Sequence, residues 1–231
     1  MCNVVTWNMQ GGTGGGESKW YTGLSELRRI HADTICMQEC GMPPVTIVAL
    51  DYPGGFGPPA GVDARYFLYG AGSSDKPPFH VYWVHWDLEG NRVNLAIASL
   101  IEPSGLLYLP NPVNQDNRPV IGMTFGRNGI LTLHAQAAGN ANDAVALVNA
   151  VAAVFAGTGQ SWFLAGDFNR EPHAMAGLAA GVNLCGHDDY PTHPSSGHNL
   201  DYAYSSFPPI AGQVLHQANW SDHFPVVYTL P

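Results

Sequence analysis

Polar residues stand where apolar runs stop. Asn8 follows VVTW, Gln38-Glu39 close TICM, and His134 ends ILTL. Asp167 and Asn169 follow FLAG, Asp201 sits in NLDYAY, and Asp222-His223 precede FPVV. If each run is a strand, one rim can gather all of these groups. A rim of Glu, Asp, Asn and two His holds a hard divalent cation through oxygen and places imidazoles as acid and base. Singly, each residue has a plainer reading. An Asn or Asp after a strand is an ordinary turn residue, and GDFN alone fits a type I turn. The combination points elsewhere, because carboxylates ending four apolar strands cost desolvation unless something pairs with them.

The elements that must position these residues follow from hydrophobic period. Asn3 to Trp7 reads as a buried strand and Thr34 to Gln38 as a second. Between them Trp20, Leu24, Leu27 and Ile30 recur at helical spacing, which predicts a helix from Lys19 to about His31. Residues 51–63 are rich in Gly and Pro and read as loop. Strands are expected at 66–69, 79–84, 93–100, 120–125 and 130–134. Further strands are expected at 162–165, 200–204 and 224–229. A helix is expected over 140–155, with Ala144, Leu147, Val148, Val151, Val154 and Phe155 on one stripe. The sum predicts one α/β domain over residues 1–231, with many strands in two stacked sheets and a few helices outside.

Composition narrows the function classes. The chain has 231 residues, 45% hydrophobic and 12% charged, which suits a globular protein rather than a disordered one. Its formal charge is −9, against the usual basic footprint of a nucleic-acid binder, although a few well-placed arginines act locally in an acidic protein. No apolar run reaches the roughly 18 residues of a membrane span, and no basic-then-apolar leader opens the chain. A mature secreted chain is the expectation, with a cytoplasmic location as the alternative. Cys2, Cys36, Cys40 and Cys185 form no C-x-x-C pair and are expected as free, partly buried thiols, with a disulfide as the alternative. The glycine-rich WNMQGGTGGGESKW is no P-loop, since Ser18 precedes Lys19 and Trp20 follows it. Its glycines instead suit a tight strand-to-helix turn, with Glu17-Ser18 opening the helix, Trp20 anchoring it and Lys19 solvated.

WNMQG, MQE, AGDFNREP, LDYA and SDHFPV, in this order, resemble the endonuclease/exonuclease/phosphatase superfamily, to which DNase I belongs. The fuller strings ESKW, NRVNLAIAS and NRPVIGM are similar to the branch formed by the active subunits of cytolethal distending toxins. The resemblance runs from Val4 to about Val227. It implies a four-layered α/β sandwich with the active site at one edge of two stacked mixed β-sheets. It also implies a divalent-metal-dependent phosphodiesterase using Mg²⁺, or another divalent cation such as Mn²⁺ or Ca²⁺.

Carried over by position, the resemblance makes Glu39 the principal metal ligand, with Asn8 beside it and Asp222 a further metal-side carboxylate. His223, oriented by Asp201, is the implied general base. Asp167 and Asn169 position water and the scissile phosphate, and His134 assists the leaving oxygen. Arg92 and Arg118 are implied phosphate contacts, with Arg170 a weaker candidate. The reaction has matching needs: an in-line nucleophile, charge relief on the phosphate and help for the leaving group. The chain departs from the family pattern in lacking a basic residue at Thr124 and arginines near Leu100 and Ile101. That thinning of positive charge puts tight DNA binding in doubt. A DNase, the nuclease component of a genotoxin acting inside a target cell and in its nucleus, is the leading reading. A phosphoinositide phosphatase using the same site is the second, and an inactive binding module the third. Delivery partners are implied by resemblance only. The polar segment THPSSGHN, Thr192 to Asn199, is expected to wall the cleft, with His193 and His198 as solvated loop residues.

Overall fold

The computed structural model describes every residue except 12–18, 56–57, 71–75, 138–142, 189 and 219. β1 (Cys2–Asn8) and β2 (Thr34–Gln38) run parallel, with Asn8 opposite Gln38. The connection between them ends in a π-helical turn (Lys19–Gly23) and α1 (Leu24–Arg29). β3 (Ile47–Ala49), β4 (Ala64–Tyr69), β5 (Phe79–Val84) and β6 (Leu95–Ser99) form an antiparallel meander, and β6 closes back onto β2. β7 (Gly105–Leu109), β8 (Val120–Phe125) and β9 (Asn128–His134) are antiparallel neighbours in a second sheet. α2 (Asp143–Phe155) crosses to β10 (Ser161–Asp167), which runs parallel to β9. β11 (Asn183–Cys185) and β12 (Asp201–Ser205) join that sheet, while β13 (Gly212–Val214) and β14 (Val226–Leu230) return to the first. The first sheet is eight-stranded, in order β13-β14-β1-β2-β6-β5-β4-β3. The second is six-stranded, in order β11-β12-β10-β9-β8-β7.

Strand alternation builds four layers from these sheets. In β1 and β2, Val5, Trp7, Ile35 and Met37 face outward onto Trp20, Leu24 and Leu27. Val4 and Cys36 face inward, against Ile130, Phe163 and Ala203 of the second sheet. On that sheet's outer face Leu131, Leu133, Leu164 and Tyr202 meet Leu147, Val151 and Phe155 of α2. Each sheet is therefore buried on both faces along its central strands, which is why those strands are nearly continuous apolar runs.

Most expected elements are present within a residue or two. The expected helix from Lys19 instead opens with one π-helical turn and ends at Arg29, with His31 in the left-handed region at φ 62°. A Cβ on Gly23 would lie 2.4 Å from the Trp7 ring, so glycine lets this junction sit directly on the indole. The glycines at 12 and 14–16, the helix start expected at Glu17-Ser18 and residues 140–142 of the second helix lie outside the described residues. The four cysteines are free thiols, with Cys36, Cys40 and Cys185 buried.

Candidate active site

Period-two alternation carries the inward face of each central strand from apolar to polar along one direction. On β1 the inward series is Val4, Thr6, Asn8; on β9 it is Ile130, Thr132, His134; on β10 it is Phe163, Ala165, Asp167. The middle layer is tied by Gln38, whose Nε2 donates to Thr132 Oγ1 at 2.7 Å across the sheets and to Thr6 Oγ1 at 3.2 Å. The last layer is the site. Asp167 is the register partner of both His134 and Asp201, so three candidate side chains form one row across β9, β10 and β12.

Asn8 reaches across from the first sheet and donates through Nδ2 to Asp167 Oδ2 at 2.9 Å. Asp167 Oδ1 accepts from the Asn169 backbone N–H at 2.8 Å, and Asn169 Nδ2 donates to the Ala135 carbonyl at 2.9 Å. His223 Nδ1 and Asp201 Oδ2 are 2.6 Å apart, and His223 Nε2 faces Asp167 Oδ2 at 3.9 Å. His134 Nε2 lies 3.5 Å from the same oxygen and 3.9 Å from Glu39 Oε1. Two imidazoles thus flank one buried carboxylate, and all of them are almost fully buried.

The electrostatics follow from this crowding. Burial and the Asp201 charge push the Asp167 carboxyl up to about 7, against the lowering effect of His223 and of the Asn169 and Asn8 hydrogen bonds. Burial alone would lower His223, but Asp201, with Asp167 and Asp222 beyond it, outweighs that and raises it to about 9. Burial holds His134 well below its ordinary value, with the Arg118, His223 and Arg92 charges acting in the same sense. His134 is therefore neutral, and its Nδ1 has no hydrogen-bond partner among the described residues. The tautomer carrying hydrogen on Nε2 is the one that suits its two carboxylate neighbours.

Glu39 sits just past β2 in the left-handed region at φ 45°, a costly conformation for a residue with a side chain. Its neighbours enforce it. Its carbonyl accepts from Gly11 N–H at 2.7 Å, Cys40 N–H donates to Asn94, and the Trp20 indole N–H donates to the Cys40 carbonyl at 2.8 Å. A Cβ on Gly11 would lie 2.3 Å from the Glu39 carbonyl oxygen, so only glycine permits the approach. Glu39 Oε2 accepts from Nε of half-exposed Arg92 at 2.8 Å.

The oxygen donors at this end suit a hard divalent cation: Glu39 and Asn8 end adjacent strands, and Asp222 follows on the loop before β14. The ligand atoms are not drawn into one cluster, however. Among the described residues two trios have ligand atoms within 4.8 Å of one another, Asp167–Asp201–His223 and His193–Asp222–His223, and Glu39 belongs to neither.

The arginines differ from one another. Arg118 is buried and donates through one guanidinium nitrogen to the Ala135 carbonyl at 2.9 Å and to Gln136 Oε1 at 3.2 Å, while its Nε has no hydrogen-bond partner among the described residues. Arg92 reaches the site through Glu39. Arg170 follows Asn169 in the chain and is half-buried, and its carbonyl accepts from the Tyr202 hydroxyl at 2.9 Å.

Two residues expected to be solvated are not. Lys19 donates through Nζ to the carbonyls of Met9 and Gln10, stapling the chain beyond β1, and its charge faces Asp222 and Glu39. His193 stands with Nε2 3.9 Å from Asp222 Oδ2, its ring edge-on to His223 at 4.6 Å between centroids. Nothing local distinguishes His193 from His198, which pairs with Glu171 at 2.9 Å instead. Only the loop's return onto the site separates them.

A model of the endonuclease/exonuclease/phosphatase family matches residues 5–223, nearly the whole chain. This chain belongs to that family. Among its family relatives, the CdtB-type component of cytolethal distending toxin from Escherichia coli is 32% identical over 245 aligned positions, covering 96% of this chain and 89% of the relative. A homolog of that toxin component from Salmonella typhi is 34% identical over 183 positions, covering 74% of this chain and 65% of that protein. The solved structure of CdtB, the biologically active subunit of cytolethal distending toxin, superposes with a TM-score of 0.87 at 31% identity, covering 100% of this chain and 98% of the other. The four-layered sandwich is thus the family's fold.

Proposed function

We propose that this family member, acting as one catalytic unit over residues 1–231, is a divalent-cation-dependent phosphodiesterase that hydrolyses DNA. The observation carrying the reading is the His223–Asp201 couple at 2.6 Å, aimed through Nε2 at the Asp167–Asn8 pair that bridges the two sheets. Asp201 holds the ring through Nδ1–H; Nε2 would be free to remove a proton from the attacking water once a divalent cation offset the carboxylates keeping His223 protonated. Asp167 and Asn169, locked by their mutual hydrogen bond, orient that water and the phosphate. Neutral His134 donates from Nε2 to the leaving oxygen, a role that needs no imidazolium. Arg92, Arg170 and Arg118 offset the phosphate charge. Glu39, Asn8 and Asp222 would hold a divalent cation, with Mg²⁺ suited to such oxygen ligands, and it would supply charge neutralisation on the phosphate.

The names of the relatives support DNA as substrate less directly than they support a toxin. The E. coli relative and CdtB are each named as one component of a toxin, and on that ground we assign this chain delivery partners, secretion and action within a target cell. A phosphoinositide phosphatase is the second reading, favoured by the charge of −9, which suits a compact headgroup better than an extended duplex. Nicking of supercoiled plasmid with Mg²⁺ should be measured beside phosphate release from inositol lipids. The expected result is nicking that falls about 10²–10⁴-fold in His223→Ala. Lipid hydrolysis without nicking would select the second reading. Full nicking by the variant would overturn the mechanism, and inactivity on both substrates with no calorimetric cation binding would make the chain a binding module.

A further inference from the structure

We propose that His193, Asp222 and His223 form a second cation site, for a borderline transition metal such as Zn²⁺, and that its occupancy switches the phosphodiesterase off. One ligand atom from each of the three residues lies within 4.8 Å of the other two. A tetrahedral Zn²⁺ with bonds of about 2.0–2.2 Å needs its ligands about 3.3–3.5 Å apart. The rim must therefore close slightly, and His193 Nε2 already stands 3.9 Å from Asp222 Oδ2.

The outer contacts favour coordination over coincidence. His223 Nδ1 is held by Asp201 Oδ2 at 2.6 Å, the carboxylate–histidine arrangement that presents Nε2 to a metal. His193 Nδ1 is held by Ser196 Oγ at 2.7 Å, and that hydroxyl already donates to the His193 carbonyl. Ser196 therefore accepts from Nδ1–H, and the lone pair of His193 is on Nε2, towards Asp222. The loop bringing His193 here is anchored at Thr192, whose Oγ1 accepts from the N–H groups of Leu200 and Asp201 at 2.9 and 3.0 Å. Its carbonyl accepts from Phe224 N–H at 2.8 Å.

Two imidazoles and one carboxylate, with a fourth position open, suit Zn²⁺ and are poor ligands for Mg²⁺, which prefers oxygen in octahedral array. The donor set around Glu39 has the opposite preference, although Asp222 is common to both sets. A metal on Nε2 of His223 occupies the lone pair that would remove the water proton, so occupancy inhibits. That consequence, unlike the site itself, rests on His223 being the base.

Zn²⁺ titrated calorimetrically into the EDTA-stripped full chain, with Mg²⁺ in excess, should bind one equivalent, and Co²⁺ in its place should give tetrahedral visible absorption. His193→Ala should weaken Zn²⁺ by more than about 100-fold and Ser196→Ala by about 10–100-fold, the usual range for an outer-shell partner. His198→Ala on the same loop should change neither readout. Plasmid nicking by His193→Ala with Mg²⁺ should match the wild type yet resist Zn²⁺. Undiminished Zn²⁺ affinity in His193→Ala, or an octahedral Co²⁺ spectrum, would overturn the site. Tight binding lost in His193→Ala without inhibition of nicking would retain the site and overturn His223 as the base.

Discussion

At the scale of single residues, this site is a concentration of carboxylates that one imidazolium balances. His223 and Asp167 are both raised, to about 9 and about 7, so both favour the proton-bound folded state. For His223, whose unfolded value is about 6.5, the stabilisation is complete below that pH and is lost as pH rises through 9. Asp167 acts in the same sense lower down, losing stabilisation as pH rises through 7. The melting temperature of the EDTA-stripped protein should therefore fall as pH rises from about 6.5 to 9. Asp201→Asn should flatten that decline, because it removes the main charge holding the proton on His223. A melting temperature that rises over this window in the wild type would contradict the assignment. Aspects of this scale were legible in the sequence: Asp201 and His223 stand out as polar residues flanking strands. The raised Asp167 was not legible, since its causes are burial between the sheets and the charge of Asp201 on another strand.

At the scale of elements, the rim exists because β9 and β10 approach very closely. A Cβ on Gly166 would lie 2.2 Å from the Leu133 carbonyl oxygen, with backbone on both sides of the gap. Gly166→Ala must push the strands apart next to the His134–Asp167 row. We expect a loss of about 1–3 kcal/mol, the usual range for overpacking, read as a lower denaturant midpoint. Nicking should fall further than that loss of folded protein explains; unchanged stability and activity would show that the close approach is dispensable. The same scale explains which strands hydrophobic period revealed. β3, β7, β11 and β13, which the sequence did not announce, are the four edges of the two sheets. An edge strand is paired on one side and partly solvated, so IVA, NLC and GQV carry too little apolar alternation to stand out. GLLYL is apolar enough, but it is half-buried throughout and follows a Pro-Ser turn.

For the whole molecule, the charge of −9 limits how it can hold a polyanion. Arg92, Arg118 and Arg170 are the arginines at the rim, and Arg118 is committed to the Ala135 carbonyl. Duplex binding through two or three phosphates predicts a slope of log affinity against log salt of about −2 to −3. Filter binding to a plasmid fragment across a salt series would measure it. A slope steeper than about −6 would mean an extended basic track that these residues do not supply.

What the sequence determined by itself was the set of central strands, their sandwich class and the polar residues at their ends. These follow from short apolar runs and strand-end chemistry, which are local properties of a chain. Tertiary structure decided which of those ends meet. Asn8 and Asp167 are 159 positions apart and bond only because the sheets stack in one register. Lys19 became a staple and His193 a neighbour of the His223 imidazole for the same reason. Loop return is set by distant packing and hydrogen bonds such as those of Thr192, which leave no periodic signal in the sequence that makes them.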